Sequence, residues 1–390
     1  MSKMSPEAAA RAARIAQLKK VSDSIHKEFG GKEQEKLVSF LGDDEPIPLQ
    51  RFTSGCMPLD LALGGGWPEG RITELFGSES SGKTSLLYHA IAAYQKKYPD
   101  KNIVWVDSEY SYDPIYAEAI GVDTDFILKY DPRDGNEGFE VMKKLAQEGF
   151  GLILVDSVAA LGSKEEMEGS MLDSQRMASQ ARMMSAGLKV LNNIMARNGA
   201  TIIFTNQMRD KPGVMYGEPT TTSGGRALKF YTSIRVELKT IGTESVGDEK
   251  VASKVRAIVK KNKTAAPWRQ AEFAITYGVG IDMFIGVFTS ALELGIITQQ
   301  GSWYSFEGNR IGNGKLATME FFKNDQEAYK RLEEMVRNAP KPTKSSKKPP
   351  ASAVQAKMDR LAQVGKPAEQ RGGNDADGAA GDFSAETVEE

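Results

Sequence analysis

Eight residues, Gly77-Ser78-Glu79-Ser80-Ser81-Gly82-Lys83-Thr84, have the types and spacing needed to hold a polyphosphate. They fit G-x-x-x-x-G-K-[ST], the phosphate-cradling loop of ATP- and GTP-using proteins. Successive small residues let backbone N–H groups curl round the phosphates. Lys83 would reach the terminal phosphates, the Thr84 hydroxyl would ligate Mg²⁺, and Ser85 follows in the same cradle. Acids and an amide recur further along, each just after an apolar run. Asn102-Ile-Val-Trp-Val-Asp107 leads to Glu109, Gly151-Leu-Ile-Leu-Val ends at Asp156, and Ala200-Thr-Ile-Ile-Phe-Thr ends at Asn206-Gln207. Asp156 fits the second Mg²⁺-orienting acid of such enzymes. Glu109 is a carboxylate that could polarise a water attacking the γ-phosphate. Gln207 could hydrogen-bond that phosphate and register its loss.

These residues need a scaffold that brings strand ends together. Short apolar runs separated by helical stretches, near 84–94, 137–148 and 174–197, predict an α/β fold with a mostly parallel central sheet. The carboxyl ends of such strands line the ligand crevice. The run 71–76 ends at the phosphate loop, so the loop, Asp107, Glu109, Asp156 and Gln207 are expected on one edge. The phosphates would then lie at the N-terminus of the helix beginning at Thr84, where free N–H groups and the helix dipole favour anions.

Around this core, residues 7–29 read as one amphipathic helix with Ile15, Leu18, Ile25 and Phe29 on a stripe, which must pack on this chain or a neighbour. Residues 208–226 carry glycines without any period, and a long loop of this kind is functional or disordered. Arg209, Lys211 and Arg226 there could contact phosphates, and Gly224-Gly225 allow close backbone approach. Arg182, Lys189 and Arg197 share one long helix and could add more. Runs at 230–238, 255–261 and 271–276 predict strands that extend the sheet in antiparallel fashion. A small α+β domain is expected from a helical stripe of Phe284, Val287, Phe288, Ala291 and Leu292, a strand at Trp303–Phe306 and a helix from Gln326 to Arg337. Residues 341–371 are basic, and 372–390 carry acids and no base, which predicts a disordered tail.

The whole composition excludes several classes. At 390 residues with net charge −2, the chain has room for two or three domains and no global field toward nucleic acid, so any basic surface is local. The lone cysteine, Cys56, leaves no intramolecular disulfide and suits a reducing compartment. No apolar run is long enough for a membrane span, and the first residues lack an export signal, so a cytoplasmic protein is expected.

The residues also resemble the bacterial RecA recombinase family. The likeness runs through Gly77–Thr84, Asp107–Ala117, Val155–Leu161, Ala181–Ser185, Gly213–Gly217, Thr222–Tyr231, Lys261-Asn-Lys263 and Ala265–Pro267. It implies an N-terminal oligomerisation segment (1–50), an ATPase core with DNA-binding loops (51–280), a small C-terminal domain (281–339) and the tail (340–390). It further implies an ATP- and Mg²⁺-dependent helical filament, a homo-oligomer on single-stranded DNA that pairs with homologous duplex and exchanges strands. Accessory partners of the single-strand-binding or loading-mediator kind are expected with it. By the same resemblance Glu109 is the catalytic base, Thr84 and Asp156 serve the metal, and Tyr277 stacks on adenine. Lys261 and Lys263 reach the neighbouring subunit's γ-phosphate, and the loops near 166–177 and after Gln207 bind DNA through Arg182, Lys189, Arg209, Lys211, Gly224 and Gly225. By pattern alone, Lys261 and Lys263 are an alternating pair on a strand. The chain departs from the family where Gly169–Gln180 is one residue longer, where Gln175 replaces histidine, and at Pro212, where an aliphatic is expected. The alternative reading is a ring-forming helicase or repair motor ATPase on the same core, since fold alone does not set function.

Overall fold

A computed structural model describes residues 6–29, 38, 49–163, 173–210, 220–223 and 226–339. The expectations for Lys211, Pro212, Gly224, Gly225, the segment 164–172 and the tail from 340 onward fall outside these residues.

The chain opens with α1 (Pro6–Phe29) and a two-residue ladder, β1 (Arg51–Phe52) with β2 (Trp67–Pro68), around α2 (Met57–Leu63). The core follows: β3 (Ile72–Gly77), α3 (Lys83–Lys97), β4 (Ile103–Asp107), α4 (Pro114–Ile120), β5 (Ile127–Tyr130), α5 (Gly135–Gln147), β6 (Leu152–Asp156), α6 (Asp173–Asn198) and β7 (Thr201–Asp210). Then come β8 (Thr220–Thr222), α7 (Ala227–Tyr231), β9 (Ile234–Val246), β10 (Glu249–Asn262) and β11 (Gln270–Thr276). The last part holds α8 (Met283–Glu293), β12 (Ile297–Gln300), β13 (Trp303–Phe306), β14 (Asn309–Asn313), α9 (Lys315–Asn324) and α10 (Gln326–Asn338).

Among the described residues the main sheet runs β11-β10-β9-β3-β7-β6-β4-β5. From β9 to β5 every pairing is parallel, and β10 and β11 add antiparallel. Alternate side chains of one buried strand serve opposite faces, as the pleat requires. Leu152 and Leu154 join Leu86, Ile91 and Trp105 beneath α3, while Ile153 and Val155 join Phe139, Met142, Met184 and Leu188 beneath α5 and α6. The sheet is thus covered on both sides, and its strands read as continuous apolar runs. A third cluster, Val287, Phe288, Ala291, Ile297, Phe306, Phe322 and Leu332, packs with Met57 of α2.

Helix starts share one device. Asp113, Asp134, Asp282 and Asp325 each accept an N–H of the first turn of α4, α5, α8 and α10. Such caps satisfy donors that have no partner inside the helix.

The structure corrects three expectations. Residues 230 and 231 belong to the short helix α7, and the strand expected from 230 begins at Ile234. The apolar residues Leu228, Phe230 and Tyr231 blurred that boundary, because a five-residue helix shows too little period to be told from a strand. The stretch 208–226 is also not wholly irregular: β7 continues to Asp210 and pairs with β8 through Met208–Thr222, Arg209–Thr221 and Asp210–Thr220. Likewise β9 and β10 extend well past the expected runs, as a long hairpin whose outer residues are mostly polar and exposed.

Candidate active site

The parallel sheet delivers the expected residues to one edge. Gly77 ends β3 with Gln207 registered beside it on β7, and Asp107 on β4 is registered with Asp156 on β6. Gly77 needs to be glycine because a Cβ there would lie 2.5 Å from the Leu238 carbonyl. Gly82, at φ +90°, needs it because the backbone is left-handed, and a Cβ there would also displace the Ile275 Cδ1 methyl.

Asp156 is buried and fully engaged. Its Oδ2 accepts from Thr84 Oγ1 at 2.8 Å and Ser111 Oγ at 3.1 Å, and Oδ1 accepts from Thr205. The phosphate-loop hydroxyl and the strand-end acid therefore meet directly. That donor set fits Mg²⁺, a hard cation that takes few protein oxygens and shares the rest with phosphates and water. No cluster of three or more acids, histidines or cysteines suited to holding a metal by itself occurs among the described residues.

The turn after β4 carries Glu109. Ser108 and Glu109 N–H groups donate to the Asp156 carbonyl at 3.0 and 3.2 Å, and Asp107 holds the turn by accepting from Ser111 N at 2.9 Å. Lys129 on β5 lies 3.3 Å from the buried Asp107 carboxylate. Glu109 Oε1 accepts from Ser157 Oγ and, at 3.0 Å, from Gln207 Nε2. The base candidate and the sensor candidate are in contact. Lys83 Nζ donates to the Ser78 carbonyl at 2.8 Å. Burial draws its ammonium below the ordinary lysine value, opposed by the carboxylates of Asp156, Glu109 and Glu79.

Beside the loop lies a pocket of about 270 Å³ lined by Ser80 to Ser85 and by Tyr116, Ser253, Ile275 and Tyr277. Tyr277 is half exposed, and its hydroxyl pairs with Ser253 Oγ at 2.8 Å. Tyr116 donates to Ser85 Oγ at 3.0 Å. Sequence reasoning singled out neither Tyr116 nor Ser253. Tyr116 lay in the matched stretch Asp107–Ala117, whereas Ser253 had no signal, since only the sheet brings β10 here.

Lys261 and Lys263 are elsewhere. Lys261 pairs with Arg235 near the start of β9, whereas Gly77 pairs with Leu238. That offset is about 10 Å along the strands, and β10 lies two strands from β3, so the lysine cannot reach its own chain's loop. Instead Lys261 Nζ donates to the Lys229 and Phe230 carbonyls at 2.6 and 3.1 Å. Burial, Lys263 and Arg235 lower its pKa to about 8, with Glu74 opposing. On α6, Arg182 and Lys189 are exposed, seven residues apart on one face. Arg197 is exposed near the end of that helix, and Arg226 is exposed at the start of α7. Arg209 lies in the β7–β8 ladder.

Comparison with known proteins identifies the family. Residues 16–282 match the RecA N-terminal domain and residues 286–341 the RecA C-terminal domain. Protein RecA of Prochlorococcus marinus is 39% identical over 356 residues, 90% of this chain and 92% of that protein. Protein RecA of Corynebacterium efficiens is 41% identical over 314 residues, 80% of each chain, and that of Streptomyces rimosus is 40% identical over 341 residues, 86% and 89%. The chain belongs to the RecA family. It is an ATP-dependent recombinase and a DNA-dependent ATPase of the phosphate-loop class. Nucleotide binding, DNA binding and oligomeric filament formation go with RecA membership, and no feature favours the ring-helicase alternative. The described residues contain no helix long and apolar enough to cross a membrane.

Proposed function

We propose that this RecA-family protein binds ATP with Mg²⁺ in the Gly77–Ser85 cradle, assembles as a helical filament on single-stranded DNA, and pairs that strand with homologous duplex DNA. The observation that carries the reading is β7. One strand sets Gln207 against Glu109 at 3.0 Å and continues directly into the ladder with β8 that frames the DNA loop. A change at the γ-phosphate therefore has a short, rigid route to the segment that would hold DNA.

In this reading Lys83 binds the terminal phosphates, Thr84 and Asp156 hold the cation, and Glu109 takes a proton from the attacking water, oriented by Ser157. Mg²⁺, when bound, offsets charge on the β- and γ-phosphate oxygens. Tyr277 and Tyr116 hold the base in the pocket beside the loop. Lys261 and Lys263, remote from their own loop, act on the neighbouring subunit's γ-phosphate, so turnover requires the filament. Phosphoryl transfer depends mainly on positioning and electrostatic stabilisation, and a cation supplied in trans can change the rate by orders of magnitude. The exposed apolar side chains of α1, Ile15, Leu18 and Phe29, suit packing on an adjacent subunit. Arg182, Lys189, Arg209, Lys211, Gly224 and Gly225 are assigned to DNA. The domain limits at 50, 280 and 339, the cytoplasmic location, and partners that load the filament complete the proposal, and the break between the two matched family regions, at 282–286, supports the second limit.

The test is ATP hydrolysis with and without single-stranded DNA, paired with electron micrographs of the same mixtures. Stimulation by DNA, lost as salt rises, together with helical filaments is the expected result. Hydrolysis indifferent to DNA, or closed rings, overturns it.

A further inference from the structure

A buried ionic group lies on β3 outside the nucleotide site. The Glu74 side chain is completely buried, yet it accepts from Asn206 Nδ2 at 3.0 Å through one oxygen and from Arg235 Nε through the other. The core does not call for a carboxylate there, since its β3 neighbours Ile72, Leu75 and Phe76 are apolar and buried. Burying a charged pair is rarely a gain in stability over apolar side chains of similar volume.

What Glu74 joins explains its presence. Asn206 precedes Gln207, and its Nδ2 also donates at 3.0 Å to the Ser223 carbonyl, where β8 leads on toward α7. Arg235 sits across the strand pair from Lys261, and its guanidinium lies 4.4 Å from the Phe76 ring centre. Lys261 holds the last carbonyls of α7. Asn206 therefore grips Ser223 at the end of β8, Lys261 grips Lys229 and Phe230 at the end of α7, and Glu74 ties both grips together.

We infer that Glu74 is a positioning residue that couples the DNA loop to Lys261, acting through Asn206 on one side and Arg235 on the other. DNA that displaces 220–223 draws on the Ser223–Asn206 contact. Glu74 passes that movement to Arg235, which stands across the strand pair from Lys261, and the shift of Arg235 moves the lysine from its α7 carbonyls toward the neighbouring subunit. The inference rests on the trans role proposed above for Lys261.

A double-mutant cycle separates the two claims. Glu74→Gln keeps an acceptor for Asn206 and removes the ion pair. It is expected to lower the DNA-stimulated kcat about tenfold with the KM for ATP changed less than about twofold, and to change kcat less than about twofold in a Lys261→Ala background. Wild-type kcat in Lys261→Ala alone overturns the trans role. A reduced kcat in Lys261→Ala, with Glu74→Gln costing the same factor in both backgrounds, overturns the coupling and leaves the trans role standing. Hydrogen exchange supplies a second readout. Adding single-stranded DNA should change exchange at 220–223 in both wild type and Glu74→Gln, and at 258–262 in wild type only; an unaltered response at 258–262 in the variant sinks the coupling. Should Glu74→Gln fail to melt cooperatively, Arg235→Lys takes its place in the same cycle, and wild-type kcat and exchange in that variant overturn the inference.

Discussion

At the residue scale the candidate site is assembled by contact between groups from separate elements: a helix start, two turns and two strands. Thr84 and Asp156 share a hydrogen bond, and Glu109 is oriented by Ser157 and Gln207. Lys83→Ala should abolish measurable hydrolysis, and wild-type turnover in that variant would remove the loop from the mechanism. Glu109→Gln should leave ATP and DNA affinity within about twofold while kcat falls on the order of a hundredfold or more, the range in which a positioned base acts. A parallel collapse of affinity in binding titrations would mean that Glu109 holds the nucleotide. Tyr116→Ala should raise the KM for ATP about tenfold with a smaller change in kcat, since it removes ground-state contact. An unchanged KM would take Tyr116 out of the base pocket.

At the element scale, caps and registers decide where these side chains end up. Asp134 caps α5, and through that helix it seats Phe139 and Met142 on the sheet face behind Asp156. Asp134→Ala should lower the unfolding free energy by about 1 kcal/mol, read by denaturant melting, with kcat unaltered. A cost near zero would mean that packing alone holds the helix. The elements also explain what sequence patterns missed. The strands β3, β4, β6 and β7 were legible because burial on both faces makes them predominantly apolar, with Thr73, Glu74, Thr201, Thr205 and Asn206 the buried polar exceptions in β3 and β7. The outer part of the β9–β10 hairpin is solvated, so residues 239–250 show no apolar run to betray a strand. The reverse error, α7, arose because its few residues carry apolar side chains without room for a helical period.

At the scale of the whole molecule, two features bind distant parts. His89 on α3 is buried, and its Nε2 accepts the Ile281 N–H at 2.7 Å, joining the phosphate-loop helix to the entry of the last folded part. Burial lowers its pKa to about 4, so the folded state holds it neutral. The unfolded chain binds the proton first as pH falls below its ordinary value of 6.5, so this contribution is present above that pH and is lost between 6.5 and about 4. His89→Gln, which keeps a neutral acceptor, should flatten the fall in melting temperature across that window. An unchanged pH profile would refute the assignment. The second feature is the separation of Lys261 from its own loop. Mixing Lys83→Ala and Lys261→Ala chains in equal amounts should restore about a quarter of the hydrolysis, because head-to-tail assembly makes that fraction of sites with both lysines intact. A mixture as inactive as its components would place the lysine's action within its own subunit.

The sequence by itself determined the phosphate loop, the acids at strand ends and the doubly covered parallel sheet. Each of these is written in local residue order: small residues that must curl, and apolar runs that must be buried. The tertiary structure alone decided the contact between Gln207 and Glu109, the Ser253 wall of the base pocket, the Glu74 link and the remoteness of Lys261. Those depend on which strands lie side by side and in what register, and strand order follows from how the whole chain covers its apolar surface.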